Sequence, residues 1–253
     1  MSVRVSDITV RKEHLRILAL NDINNELDEK EIDSWIRLTR VLTHEIMNAV
    51  TPITSLSDTL LGLTEAQVSK EEIRNGLQTI SSTGKGLLSF VESYRKFTRI
   101  PTPEPSLFYV KSFIGRMVEL ARHQHPDVRV TFHMDIAPSD LILYADENLV
   151  SQVVINLLKN AIQAIESDKN TDKEGHINIR AYCNEAEAIL IEISNNGPAI
   201  PNDIAEHIFI PFFTTKEGGS GIGLSISRQI MRLSGGNLSL LPSKETIFIL
   251  KFN

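Results

Sequence analysis

Thr43-His44-Glu45-Ile46-Met47-Asn48 sets an imidazole beside a carboxylate and one helical turn from a carboxamide. A histidine so placed can act as a nucleophile, with Glu45 holding its second ring nitrogen, fixing the tautomer and raising its basicity. Taken alone, the six residues favour an ordinary surface histidine. In Gln152-Val-Val-Ile-Asn156-Leu-Leu-Lys-Asn160-Ala-Ile-Gln163 the two asparagines are four apart and project from one helix face. Their amide oxygens could ligate a hard cation such as magnesium, itself carried by phosphates. A solvated stripe through Gln152, Asn156, Lys159 and Gln163 is an equal reading. Ser194-Asn195-Asn196-Gly197-Pro198 ends a strand in a sharp turn where backbone can approach a ligand. Phe212-Phe213-Thr214-Thr215-Lys216-Glu217-Gly218-Gly219-Ser220-Gly221-Ile222-Gly223-Leu224 packs four glycines into six residues directly before a helix. The free amides of that helix, Leu224 among them, can receive phosphate, and Lys216 offers a point charge to a terminal phosphate.

Two long helices must carry the histidine. Apolar residues at Leu38, Leu42, Ile46, Ala49, Ile53, Leu56, Leu60 and Leu63 wind a seam along the first, starting from Trp35. His44, Asn48, Thr51 and Ser55 form a separate stripe on roughly the opposite side, and Pro52 predicts a bend just past the histidine. After a break at Gly62 to Val68, Ser69 and Glu72 have capping-box spacing and open a second helix with its own seam through Ile73, Leu77, Ile80, Gly84, Leu87, Val91 and Tyr94. The hairpin exposes one apolar face, which a second copy would bury as a four-helix bundle homodimer.

Residues 1–28, with near-alternating Val3, Val5, Ile8 and Val10, read as the end of a preceding sensor segment, and 29–100 as the helical hairpin. Pro101-Thr-Pro-Glu-Pro105 is a stiff linker into 101–253, where helices alternate with strands. The expected fold class is α+β: a long antiparallel helical hairpin, then an α/β sandwich with a mixed, mostly antiparallel sheet.

At 253 residues, 42% hydrophobic and 23% charged, the chain is globular material for a sizeable core plus a smaller module. A net charge of -6 argues against nucleic acid or an anionic membrane as a partner. Cys183, the single cysteine, excludes an internal disulfide and fits a cytoplasmic setting. No apolar run approaches the roughly 20 residues of a membrane span, so any membrane attachment would come through segments absent from this chain. His123, His125, His133, His176 and His207 lack matched partners and read as structural.

The order of the motifs carries more than any one of them. Histidine helix, paired-asparagine helix, Asn-Asn-Gly turn, Phe-Phe-Thr-Thr-Lys and Gly-Ser-Gly-Ile-Gly-Leu resemble the H, N, G1, F and G2 boxes of bacterial two-component sensor histidine kinases, over residues 29–253. His-Glu-Ile-Met-Asn followed by Pro52 is similar to their nitrogen-regulation-like branch. The resemblance implies a dimerising phosphotransfer hairpin and an ATPase domain of the gyrase, chaperone, kinase and MutL type. ATP with magnesium would phosphorylate His44, and the phosphoryl group would pass to an aspartate of a response regulator receiver domain. By the same resemblance Glu45 polarises His44, and Asn48 positions water when the kinase acts as a phosphatase. Asn160 ligates magnesium, Asn156 is a nearby phosphate or metal contact, and Asn195 and Gly197 meet the base. Lys216 approaches the γ-phosphate, Thr215 also meets the nucleotide, Gly219, Gly221 and Gly223 hinge the lid, and the Leu224 amide binds phosphate.

One departure stands out. The family usually has Asp-Asn-Gly-x-Gly where this chain has Asn195-Asn196-Gly197-Pro198-Ala199. Exchanging a charge-assisted hydrogen bond of about 1.5 to 3 kcal/mol for a neutral one of about 1 predicts roughly tenfold weaker ATP binding. A degenerate dimeric scaffold without useful ATP turnover is therefore the alternative expectation.

Overall fold

The computed structural model describes residues 2–10, 13–21, 23–62, 69–168, 174–216, 219–243 and 245–253, with side chains described from residue 39 onward apart from 41, 93 and 96. The side chains of Trp35 and Leu38, and residues Leu63, Glu217 and Gly218, lie outside that description. The chain divides into two compact units, Met1–Ser89 and Phe90–Asn253.

In the first unit, β1 (Ser2–Val10) and β2 (Glu13–Asn21) pair antiparallel, Ser2 opposite Asn21 and Val10 opposite Glu13. Helix α1 (Ile23–Gly62) follows and runs through Pro52. Helix α2 (Lys70–Thr98) begins in this unit and ends in the next. Its start is the expected capping box: Glu72 Oε2 accepts from the Ser69 backbone N–H at 2.9 Å, and Ser69 Oγ accepts from the Glu72 N–H at 3.2 Å. The Leu60 side chain lies against Gly76, where a Cβ would stand 3.2 Å from Leu60 Cδ1, so the second helix folds back on the first near the loop.

The second unit is built on a sheet of five strands in the order β4-β6-β7-β9-β8. These are β4 (Val130–Ala137), β6 (Gly175–Cys183), β7 (Ile189–Asn195), β8 (Asn237–Leu241) and β9 (Thr246–Phe252). Only β4 and β6 run parallel; the other pairs are antiparallel. Burial alternates along β9 and along β6 as far as Tyr182, so one face is covered and the other is partly exposed. Helices α3 (Val110–Gln124), α4 (Glu147–Glu166) and α6 (Gly223–Leu233) supply the cover. A second small sheet pairs β3 (Ser106–Tyr109) with β5 (Ile142–Ala145), and α5 (Asn202–Ala205) is a single turn. This is the α+β class expected from the sequence, with its mixed, mostly antiparallel sheet.

Helix α4 shows why the polar residues of the site stand where they do. Leu149, Val150, Val153, Val154, Leu157 and Leu158 are buried along one stripe, each contributing roughly 1.5–3 kcal/mol. Against that, two asparagines lose only about 0.7 kcal/mol each in helix propensity. The apolar stripe therefore fixes the helix and leaves Asn156 and Asn160 on its other face.

Candidate functional site

Asn156, Asn160 and Gln163 follow one another up α4 at intervals of four and three, and each is engaged by a residue far away in sequence. Asn156 Nδ2 donates to Ser227 Oγ on α6 at 3.0 Å. Gly223, the first residue of α6, lies so close that a Cβ there would fall 2.3 Å from Asn156 Oδ1, which leaves glycine as the residue that fits. Lys216 Nζ donates to Gln163 Oε1 at 2.7 Å and to Asn160 Oδ1 at 3.4 Å. Partial burial, and secondarily the charge of Lys159, hold the Lys216 pKa below the ordinary lysine value.

The turn that presents Lys216 is tightly specified. Thr214 Oγ1 accepts from the Lys216 N–H at 3.1 Å, and the Gly219 N–H donates to the Lys216 carbonyl at 3.2 Å. A Cβ on Gly219 would stand 2.7 Å from Thr214 Oγ1. Phe212 and Gly221 both have φ of 65° and lie back to back, with the Phe212 carbonyl carbon 2.4 Å from where a Gly221 Cβ would be. A phenylalanine in that conformation is strained, as backbone around ligand sites often is. Thr215 is exposed. Helix α6 has no side-chain cap, so its first amides, that of Leu224 included, are not taken by a capping side chain.

Asn195 closes β7 opposite Thr246 of β9, on the face of the sheet that the helices cover. It is 3% exposed, and its buried Nδ2 has no hydrogen-bond partner among the described residues. Gly197 presses on α4, where a Cβ would lie 2.9 Å from the Ala164 carbonyl carbon and 3.0 Å from Asn195 Nδ2. Thr246 Oγ1 donates to the Pro198 carbonyl at 3.4 Å and ties β9 to the same turn. Within this unit, then, Asn156, Asn160, Asn195, Gly197, Lys216, Gly219, Gly221, Gly223 and Leu224 belong to segments that converge on α4.

His44 sits in the other unit with its side chain 70% exposed and that of Glu45 49% exposed. Both neighbours approach the same ring nitrogen, Glu45 Oε1 at 3.5 Å and Asn48 Nδ2 at 3.0 Å from Nδ1. The remaining nitrogen, Nε2, makes no hydrogen bond among the described residues. A proton held on Nδ1 leaves the Nε2 lone pair free for attack on an electrophile, in which case the Asn48 amide turns its oxygen toward the ring.

Several contacts were hidden from the sequence. Gln163 and Ser227 are site residues that it did not single out, although Gln163 lies on the stripe of Asn156 and Asn160. The rings of His133 and His176 stand 5.9 Å apart across β4 and β6. His207 packs on Phe213 at 5.6 Å.

A pair of neutral amides that holds an ammonium, glycines in close contact with their neighbours and uncapped helix amides lie together in this unit. Residues 145–253 match the family described as histidine kinase-, DNA gyrase B- and HSP90-like ATPase, which implies ATP binding. The nitrogen regulation protein NtrY of Azorhizobium caulinodans is 30% identical over 236 residues, 92% of this chain and 30% of that protein. The catalytic domain of histidine kinase ThkA is 32% identical, with a TM-score of 0.50 over 59% of this chain and 95% of that one. Histidine kinase ThkA in complex with response regulator TrrA shares the fold over 99% of this chain and 74% of that one, with a TM-score of 0.60 at 24% identity. The chain belongs to the two-component sensor histidine kinases, as a catalytic core. It spans 30% to 43% of the length of the curated relatives it matches. Among the described residues, no helix is long and apolar enough to cross a membrane.

Proposed function

We propose that the chain uses ATP with magnesium to phosphorylate His44 and passes the phosphoryl group to an aspartate of a response regulator receiver domain, acting also as its phosphatase. The observation that carries this reading is the meeting on α4 of Lys216 with Asn160, residues 56 apart in sequence, beside Gly223 on Asn156. The Asn160 and Gln163 oxygens already accept an ammonium, and Asn160 with Asn156 beside it is a donor set that suits a magnesium ion brought in by phosphates, Asn160 being its protein ligand. Among the described residues no cluster of His, Cys, Asp or Glu could hold a metal instead. Bound there, the ion would neutralise charge on the phosphates. Lys216 would add its charge at the terminal phosphate, and the uncapped amides of α6 would receive phosphate oxygens.

In the transfer, the Nε2 lone pair of His44 forms the N–P bond as the P–O bond to ADP breaks. Glu45 and Asn48 hold the Nδ1 proton and offset the positive charge that grows on the ring. For the reverse duty, Asn48 would orient the water that attacks the regulator's aspartyl phosphate. The hairpin dimerises as a four-helix bundle, and the chain works in the cytoplasm as residues 29–100 and 101–253, preceded by a sensor remnant. ThkA, crystallised with its regulator, supports the choice of partner.

Incubation with γ-labelled ATP and magnesium tests this. An acid-labile, alkali-stable label that disappears in His44→Gln is expected. A degenerate scaffold is the second reading, because the neutral Asn195 stands where the family carries a carboxylate; no label and no detectable ATP binding would establish it in place of the kinase.

A further inference from the structure

Lys216 lies against the Asn160 oxygen that a metal would need. Its ammonium has no ion-pair partner among the described residues and rests on two neutral amides, Gln163 Oε1 at 2.7 Å and Asn160 Oδ1 at 3.4 Å. The Lys216 N–H donates to Thr214 Oγ1 and its carbonyl accepts from the Gly219 N–H, and the two side-chain bonds hold the ammonium on α4. A magnesium ion bound at Asn160 Oδ1 would be repelled by an ammonium resting on the same oxygen. Retaining the latched lysine would also leave the terminal phosphate without its point charge.

We propose that Gln163 and Asn160 form a latch which seats Lys216 in the metal's place while the site is empty, and that an arriving magnesium nucleotide evicts the lysine and so delivers it to the phosphate. This rests on the nucleotide reading above and adds to it a reason for Gln163, a positioning residue that touches neither phosphate nor metal. Neutral acceptors suit the task. A carboxylate at 163 would hold the ammonium too firmly to release, whereas an apolar side chain would leave it loose in solvent.

The test is the reactivity of Lys216 in the nucleotide-free chain toward an amine-acylating reagent, followed residue by residue by peptide mass spectrometry. In Gln163→Leu, Lys216 should acylate roughly fivefold faster, the order expected for losing one exposed charged hydrogen bond. In Gln163→Glu it should acylate more slowly than in the parent. Lys111 and Lys251, both exposed on other elements, serve as controls for folding. Equal Lys216 rates in all three proteins would overturn the latch. Calorimetry with magnesium and ADP addresses the eviction step: affinity should rise in Gln163→Leu and fall in Gln163→Glu. The expected acylation order with identical ADP affinities would overturn eviction, and absence of ADP binding in the parent would overturn the nucleotide reading instead.

Discussion

Asn48 and Glu45 converge on one nitrogen of His44, and this redundancy separates their duties. Nδ1 is within 3.0 Å of the Asn48 amide and 3.5 Å of the Glu45 carboxylate, so removing the amide leaves a group able to hold the ring proton. Asn48→Ala should therefore autophosphorylate within about twofold of the parent, a change too small for the loss of the sole partner of a buried group. Dephosphorylation of the regulator has no such substitute. If Asn48 orients the attacking water, the rate should fall by about tenfold or more, the scale of a lost positioning contact. Following phosphate release from labelled regulator gives the answer, and equal rates for variant and parent would remove Asn48 from the phosphatase step.

At the scale of elements, Asp146 does more than begin a helix. Its Oδ1 accepts from the Asn148 and Leu149 N–H groups at 2.9 and 3.0 Å, capping the helix that carries Asn156 and Asn160. Its Oδ2 accepts from the Glu104 N–H at 2.8 Å and pins the proline-rich linker to the same point. The Glu104 bond lowers its pKa most; burial opposes, and the two cap bonds lower it further. A depressed carboxylate adds stability that is complete above the unfolded value of about 3.9 and is lost as pH falls through the lower folded value. Asp146→Asn keeps an oxygen for the cap but turns an NH₂ toward the Glu104 N–H. Urea unfolding should show a loss of about 1–2 kcal/mol at pH 7 that narrows below pH 4; a difference independent of pH would refute the assignment. What could be read in advance at this scale follows from locality. The capping box at Ser69 and Glu72 and the helix that puts Asn156 and Asn160 on one face are written within a few residues of themselves, and both appear as expected. Strand β3 was not legible, because four residues after a proline run become a strand only by pairing with β5, where Leu107 meets Tyr144. The role of Gln163 was hidden for the same reason, its partner lying 53 residues downstream.

For the whole molecule, the decisive feature is where the buried core lies. Every buried apolar residue among those described falls between Phe108 and Phe252, so the second unit has a core of its own. Neither α1 nor α2 buries a single described residue, and Leu77 and Val91 remain 55% and 48% exposed in the middle of an apolar seam. Helices of this length keep their shape in water by packing an apolar face, since isolated helical stability is marginal. In the proposed bundle a second copy meeting along that seam would supply the packing, with the exposed stripe of His44 and Asn48 left on the outside. Sedimentation should accordingly give twice the 28.3 kDa chain mass. Leu77 and Val91 are fourteen residues apart, on one face four turns along. Leu77→Glu combined with Val91→Glu should place four carboxylates in the seam of the dimer and shift the protein to monomer at micromolar concentration. The buried core between Phe108 and Phe252, which contains neither substituted residue, should keep its thermal transition and its affinity for ADP in that variant. A parent chain that sediments as a monomer would leave the exposed seam unexplained and would sink the bundle.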